Sequence, residues 1–264
     1  MRLRACVILF GFMSFASAGV ARDTQESVEA DASTRQVAIT SSFTGTEILL
    51  FGTVENSVQP SPEAGTYDIV AVVEGVDAPA VVRKKSRVVG LWINTSSMRF
   101  MPVPSYYAIV STRPVDEIAD PKILDANGIG FDHIRMLPAH SAWNASPDPA
   151  ELASFRKALV HLKEQERLYV KSEFGVSFIG RSLFRATVAL PPNVPVGPLT
   201  ASVYLFKEGK LLGQYKSRVM LQREGMERFI HEFALTKSFF YGLLTVIMAA
   251  GAGLAAAFAF PRAA

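Results

Sequence analysis

Four side chains in the middle third of the chain are of types that carry hydrolytic chemistry: Asp116, Asp132, His133 and His140. Carboxylates and imidazoles act as general bases and ligate zinc. One reading is therefore a membrane-anchored hydrolase or ligand-binding domain with these groups drawn together between a β-sandwich and a helix. Asp132, His133 and His140 are too irregularly spaced to announce a zinc site. They are expected, like His161 and His231, to be solvated or structural, with no metal and no cofactor. Other motif tests return nothing: the chain has no G-x-S-x-G elbow, P-loop, strand-following dinucleotide glycine pattern or H-E-x-x-H. The stretch "DANG" at 125 to 128 would place Ile123 at the first ligand position of a calcium loop, where an oxygen ligand is needed. The one cysteine, Cys6, lies in a segment that reads as a cleaved signal, so the mature chain would have no thiol nucleophile, disulfide or thiolate metal site. The chain is expected to be non-enzymatic.

Two further stretches stand out by charge and by aromatic density. Arg83, Lys84, Lys85 and Arg87 make the run "RKKSR", suited to an anion, a lipid headgroup or an acidic partner. The same run, flanked by Val81-Val82 and Val88-Val89, also suits a hairpin tip or an edge strand blunted by lysines. Trp92, Phe100, Tyr106 and Tyr107 follow closely and are expected in a sandwich core, although Tyr106 and Tyr107 must face opposite ways on one strand. The formal charge of +3 includes Arg2 and Arg4 at the start, so no broad basic surface is implied and nucleic acid is not an expected partner.

The elements that must position these groups are mainly β. Short segments rich in Val, Ile, Phe and Tyr, such as "EILLFGTV", "YDIVAVVEG" and "YYAIVST", are separated by Gly, Pro, Ser and Asn clusters, which predicts an immunoglobulin-like β-sandwich, one or two. The period changes after Pro114. Short helical turns stop at Asn127-Gly128, and Asp148-Pro149 starts an amphipathic helix that turns Leu152, Phe155, Leu159 and Leu162 to a core. In "LFRATVAL", Phe184, Ala186, Val188 and Leu190 alternate with outward positions. The pair "LTASVYLF" and "LLGQYKSRVML" around Gly209 predicts a hairpin.

Both ends of the chain are apolar. Residues 1–18 have a basic start, about a dozen apolar residues and the small-x-small Ala16-Ser17-Ala18, which predicts a cleaved signal peptide. Residues 238–260 lack charge and would form a helix of about 34 Å, enough to cross a hydrocarbon core of about 30 Å. The expected layout is then a signal peptide over 1–18, a disordered lead-in over 19–35 and a first β-sandwich segment over 36–113. A helical connector over 114–172 and a second β segment over 173–222 follow, then a juxtamembrane stalk over 223–237, the membrane helix and a cytoplasmic tail over 261–264. The body would lie in the periplasm, anchored to a bacterial inner membrane.

The stretches "FTGTEILLFG", "RKKSRVVGLWIN", "LFRATVALPPNVPVG", "VYLFKEGKLL" and "YGLLTVIMAAGAGLAAAFAF" together resemble the alphaproteobacterial transmembrane protein family. The resemblance covers almost the whole mature chain and brings no catalytic residues with it. It implies an accessory role beside a membrane transporter, with sulfite-exporter-type permeases as a partner class, or in an envelope complex. Ala249, Gly253 and Ala257, four apart on one helix face, would let such a partner helix approach closely. Oligomeric state is not legible.

Overall fold

The structure is a computed structural model that describes residues 25–139 and 148–259. The signal peptide expected over 1–18, His140, Phe260 and the tail expected over 261–264 lie outside the described residues. The chain is mainly β, with one apolar C-terminal helix. It opens with β1 (Ser27–Ala32), β2 (Gln36–Ile39) and β3 (Thr46–Glu55), then β4 (Asp68–Glu74), the long pair β5 (Asp77–Val88) and β6 (Leu91–Pro104), and β7 (Tyr107–Ser111). Helices α1 (Val115–Ile118) and α2 (Pro121–Asn127), a 3-10 turn over Phe131–His133 and α3 (Pro149–Gln165) come next. The chain then returns to β8 (Tyr169–Ser172), β9 (Val176–Phe178), β10 (Leu183–Leu190), β11 (Gly197–Lys207) and β12 (Lys210–Arg223), and ends in α4 (Met226–Thr236) and α5 (Ser238–Ala259).

Two sheets share one hydrophobic core. The first has the order β1-β3-β10-β9 and is antiparallel throughout. Its alternation is that of a sheet with one wet face: Ile48, Leu50 and Val54 of β3 and Phe184, Ala186, Val188 and Leu190 of β10 are buried, while Leu49, Phe51 and Leu183 face out. The second has the order β2-β12-β11-β4-β7-β8, antiparallel in the middle, with parallel pairs β2 to β12 and β7 to β8 at its edges. Its central strands are buried on both faces. The outer face is covered by the segment after Pro114: Tyr204 Oη donates to the Asn127 carbonyl at 3.3 Å and Tyr107 Oη to that of Gly128 at 2.9 Å.

Several expectations change here. The lead-in over 19–35 contains β1, because Val28, Ala30 and Ala32 alternate with Glu29 and Asp31 and bury against the core once paired with β3. The helical connector over 114–172 ends in a strand, β8, which Tyr107 to Val110 of β7 template in parallel. The two β segments build one core, not two. Tyr106 and Tyr107 do face opposite ways, yet both are fully buried, one bonding the Ala189 carbonyl across the core and the other under α2. Asp148 does stand before α3, but its side chain makes no capping bond.

Polar clamps close the sheet margins. Asp68 at the start of β4 takes Arg113 Nε and Nη2 at 2.9 and 2.8 Å and the Thr112 hydroxyl at 3.0 Å, joining it to the segment after β7. Glu26 accepts from Lys207 Nζ at 2.8 Å and from Tyr67 Oη at 2.8 Å, and the Lys207 bond holds its carboxyl below the usual range. Asp31 is lowered to about 2, first by Arg35 and then by the Ala32 amide and the Ser217 hydroxyl of β12.

Two outcomes follow from this packing. Gly52 on β3 leaves the space into which the Phe184 ring fits; a Cβ there would lie 2.3 Å from the Glu29 carbonyl and 2.5 Å from Phe184 Cζ. Gly52→Ala is expected to lower stability by about 1–3 kcal/mol, read from the denaturation midpoint. Because the Asp31 carboxyl titrates lower when folded (about 2) than its usual 3.8, its contribution is complete above 3.8 and disappears as pH falls toward 2. Asp31→Asn should flatten the fall of the thermal midpoint across that acid range.

Candidate functional site

Of the side chains singled out by type, Asp116, Asp132 and His133 line no common pocket, and His140 lies outside the described residues. Asp116 lies on α1, and Asp132 and His133 on the 3-10 turn, both stretches laid against the six-stranded sheet. Lys171 lies on β8. Its ammonium is raised first by the 2.8 Å bond to Glu173 and further by the charges of Asp116 and Asp132. His133 turns the other way, placing Nδ1 3.5 Å from an oxygen of exposed Asp125. A cleft of about 950 Å3 between α3 and the 3-10 turn is lined by Asp132, Met136, Arg156 and His161, but by neither Asp116 nor His133. A second, of about 710 Å3, runs from Thr44 and Glu47 past Arg167 to Lys171. Among the described residues no three His, Asp or Glu side chains are disposed to hold a metal ion.

The region has instead a packed aromatic hinge. The rings of Tyr107, Phe131 and Tyr169 meet pairwise at 5.8 to 5.9 Å. Tyr107 Oη also accepts from the Gly130 amide at 2.9 Å, and Tyr169 Oη donates to the Pro104 carbonyl at 3.0 Å. Burial pushes both phenols up, so they act as neutral hydrogen-bonding groups that pin the 3-10 turn to β7 and β8.

Of the two settings expected for the basic run, a hairpin tip or an edge strand, the structure has the strand. Arg83, Lys84, Lys85 and Arg87 lie along β5, all exposed, opposite Ser97, Ser96, Asn94 and Trp92 of β6. The turn falls later, at Val89-Gly90, because two successive left-handed residues are needed there and Gly90 (φ 86°) supplies one without strain. Val89 supplies the other at φ 50°, unusual for a β-branched residue. Trp92, expected in the core with Phe100, Tyr106 and Tyr107, is 69% exposed beside this turn. The inner half of the hairpin is anchored: Val82, Phe100 and Val103 are buried, and Met101 and Ala139 amides bond across to the Leu137 and Arg99 carbonyls.

The C-terminal helix is exposed along the apolar window Ser238–Ala256. A Cβ added at Gly251 or Gly253 would meet nothing within 4 Å, so the small-residue positions Ala249 and Gly253 stand on an open helix surface. Ala257 is in the same helix. A family model described as "Putative transmembrane protein (Alph_Pro_TM)" matches residues 27–262, from β1 through the apolar helix. The chain belongs to that family. No curated protein and no solved structure matches it. In this transmembrane family member, α5 is long and apolar enough to cross a bilayer: its 22 residues span about 33 Å.

Sequence reasoning missed the apolar turn. Its signal was Gly90 in the middle of "RVVGLWI", a stretch that reads as one continuous strand unless the glycine is taken as the turn. The aromatic hinge is open to a direct check. Tyr107→Phe leaves the Gly128 carbonyl and Gly130 amide without their partner and should cost about 1–3 kcal/mol in unfolding free energy.

Proposed function

We propose that this chain is a single-pass anchored protein with its body in the periplasm of a bacterial inner membrane, exported by residues 1–18, and that it serves as a non-enzymatic accessory or scaffold for a membrane transporter. The sulfite-exporter type is the transporter class put forward, with an envelope complex as the other setting. The observation that carries the reading is the division of the chain. A β-rich body buries a complete core of its own, and α5 carries a fully exposed apolar surface free for lipid or another helix. The inner half of α5 is built from Ala and Gly, whose small side chains permit close backbone approach.

An immunoglobulin-like body is the matching fold reading. Its support is the strand order: β1-β3-β10-β9 facing β12-β11-β4-β7, with the first strand continued as β2 on the opposite sheet. The β5 and β6 pair and the segment over 114–172 are then insertions on either side of β7. Bodies of this kind commonly present partner surfaces at strand ends and loops.

Ala249→Leu with Gly253→Leu would keep the helix apolar and enlarge two positions of the small-residue face. Co-purifying transporter is expected to fall about tenfold or more, since each lost close contact weakens helix association, with membrane insertion unchanged. Undiminished co-purification would return α5 to a plain tether.

A further inference from the structure

The β5–β6 hairpin concentrates the chain's positive charge. Residues 77–104 hold five of the 27 Lys and Arg (Arg83, Lys84, Lys85, Arg87 and Arg99) but one of the 24 Asp and Glu (Asp77), leaving the hairpin at +4 and the remaining chain at −1. Among the described residues none of these five cations enters an ion pair. Beyond the cations lies an apolar end. Val88 and Leu91 flank the turn, Trp92 stands across from Arg87 and Ile93 across from Ser86; Val89 is 98% and Leu91 70% exposed. An aromatic and several aliphatics backed by cations is the composition of a lipid–water interface element.

Placement is the second, independent observation. On β11, Gly197 pairs with Leu221 near the end of β12, while Thr200 pairs with Glu74 at the end of β4. The hairpin therefore leaves the sheet from the end at which β12 runs out toward α4 and α5. Contact across that end is direct, since a Cβ on Gly197 would lie 2.9 Å from Val76 Cγ2. The stalk helix α4 has 11 residues, about 16 Å, and exposes Phe229, Ile230 and Leu235. The exposed stretch from Arg83 to Val88 measures about 17 Å as a strand, a length comparable with that of the stalk helix.

We propose that the β5–β6 hairpin is a second membrane contact: the tip from Val88 to Ile93 enters the interface of the bilayer that α5 crosses, while Arg83, Lys84, Lys85 and Arg87 meet the phosphates of anionic lipids. Charge complementarity selects an anionic surface, and the tether keeps that surface always within reach. Two attachments fix the orientation of the body, which a single helix leaves free to swivel.

The test uses the full chain in nanodiscs of phosphatidylcholine, with or without roughly 30 mol% phosphatidylglycerol. Trp143→Phe leaves Trp92 as the one indole. Co-elution with the disc reports α5 insertion by itself, so a failed anchor is distinguished from a failed hairpin. In the anionic discs Trp92 emission is expected to shift to the blue and to be quenched by lipids brominated near the glycerol. Each of Lys84→Gln and Lys85→Gln should lower the docked-to-free ratio about fivefold, and salt near 1 M, where the Debye length is about 3 Å, should release the tip. Water-exposed, unquenched Trp92 emission in anionic discs overturns the proposal. So does quenching that survives reversal of all four cations to Glu, or protection of Trp92 found in native membranes but absent from anionic discs, which would assign the tip to a protein.

Discussion

β11 is hydrogen-bonded along both edges, and the fold is organised around its two registers. Thr200 pairs with Arg218 of β12 on one side and with Glu74 of β4 on the other. Leu199, Ala201, Val203 and Leu205 are buried, and so are the alternate positions Ser202, Tyr204 and Phe206. A one-residue slip of a strand buried on both faces would exchange its two sets of side chains, forcing Tyr204 and Phe206 into spaces shaped for Ala201, Val203 and Leu205. That rigidity decides which end of the body carries the exit to the membrane and which loops share it.

The edges of this frame are held by charge and hydrogen bonding. Asp68 with Arg113 closes the β4–β7 end, and Glu26 with Lys207 and Tyr67 ties the start of β1 to the end of β11. These carboxylates are largely shielded, with side-chain exposures of 11% for Asp68 and 15% for Glu26, so each bond is worth more than an exposed pair such as Lys163 with Glu166. The strands carry the core, and the clamps keep its termini from fraying. His133, a residue with catalytic chemistry, reaches Asp125, and Lys171 bonds Glu173.

Position relative to the bilayer gives the exposed elements their meaning. α5 supplies a helix long and apolar enough to span, α4 an amphipathic approach to it, and the hairpin, leaving the sheet from the end where β12 stops, a basic strand ending in apolar residues. Exposed Trp92, Leu91 and Val89 would be an aggregation liability on a body free in water. Beside a bilayer they match the medium they meet.

Much of this was legible in the residues. The β10 alternation, the β11–β12 hairpin turning at Gly209, the helix from Pro149 and the apolar span all follow from local period and composition, because each is specified by neighbours within a few positions. The family relationship was legible too, from stretches spread along the residues that the family model matches. β1 was not, because Ser, Glu and Asp hide the period of Val28, Ala30 and Ala32, and the strand forms only through pairing with β3. Nor were the bonds of Tyr107 to Gly128 and Gly130 or the exposure of Trp92. Those depend on which surfaces long-range pairing brings together: on sequence grounds Trp92 suits a core as well as Phe100 does, and only the three-dimensional course of β5 and β6 leaves one ring inside and the other exposed beside the turn.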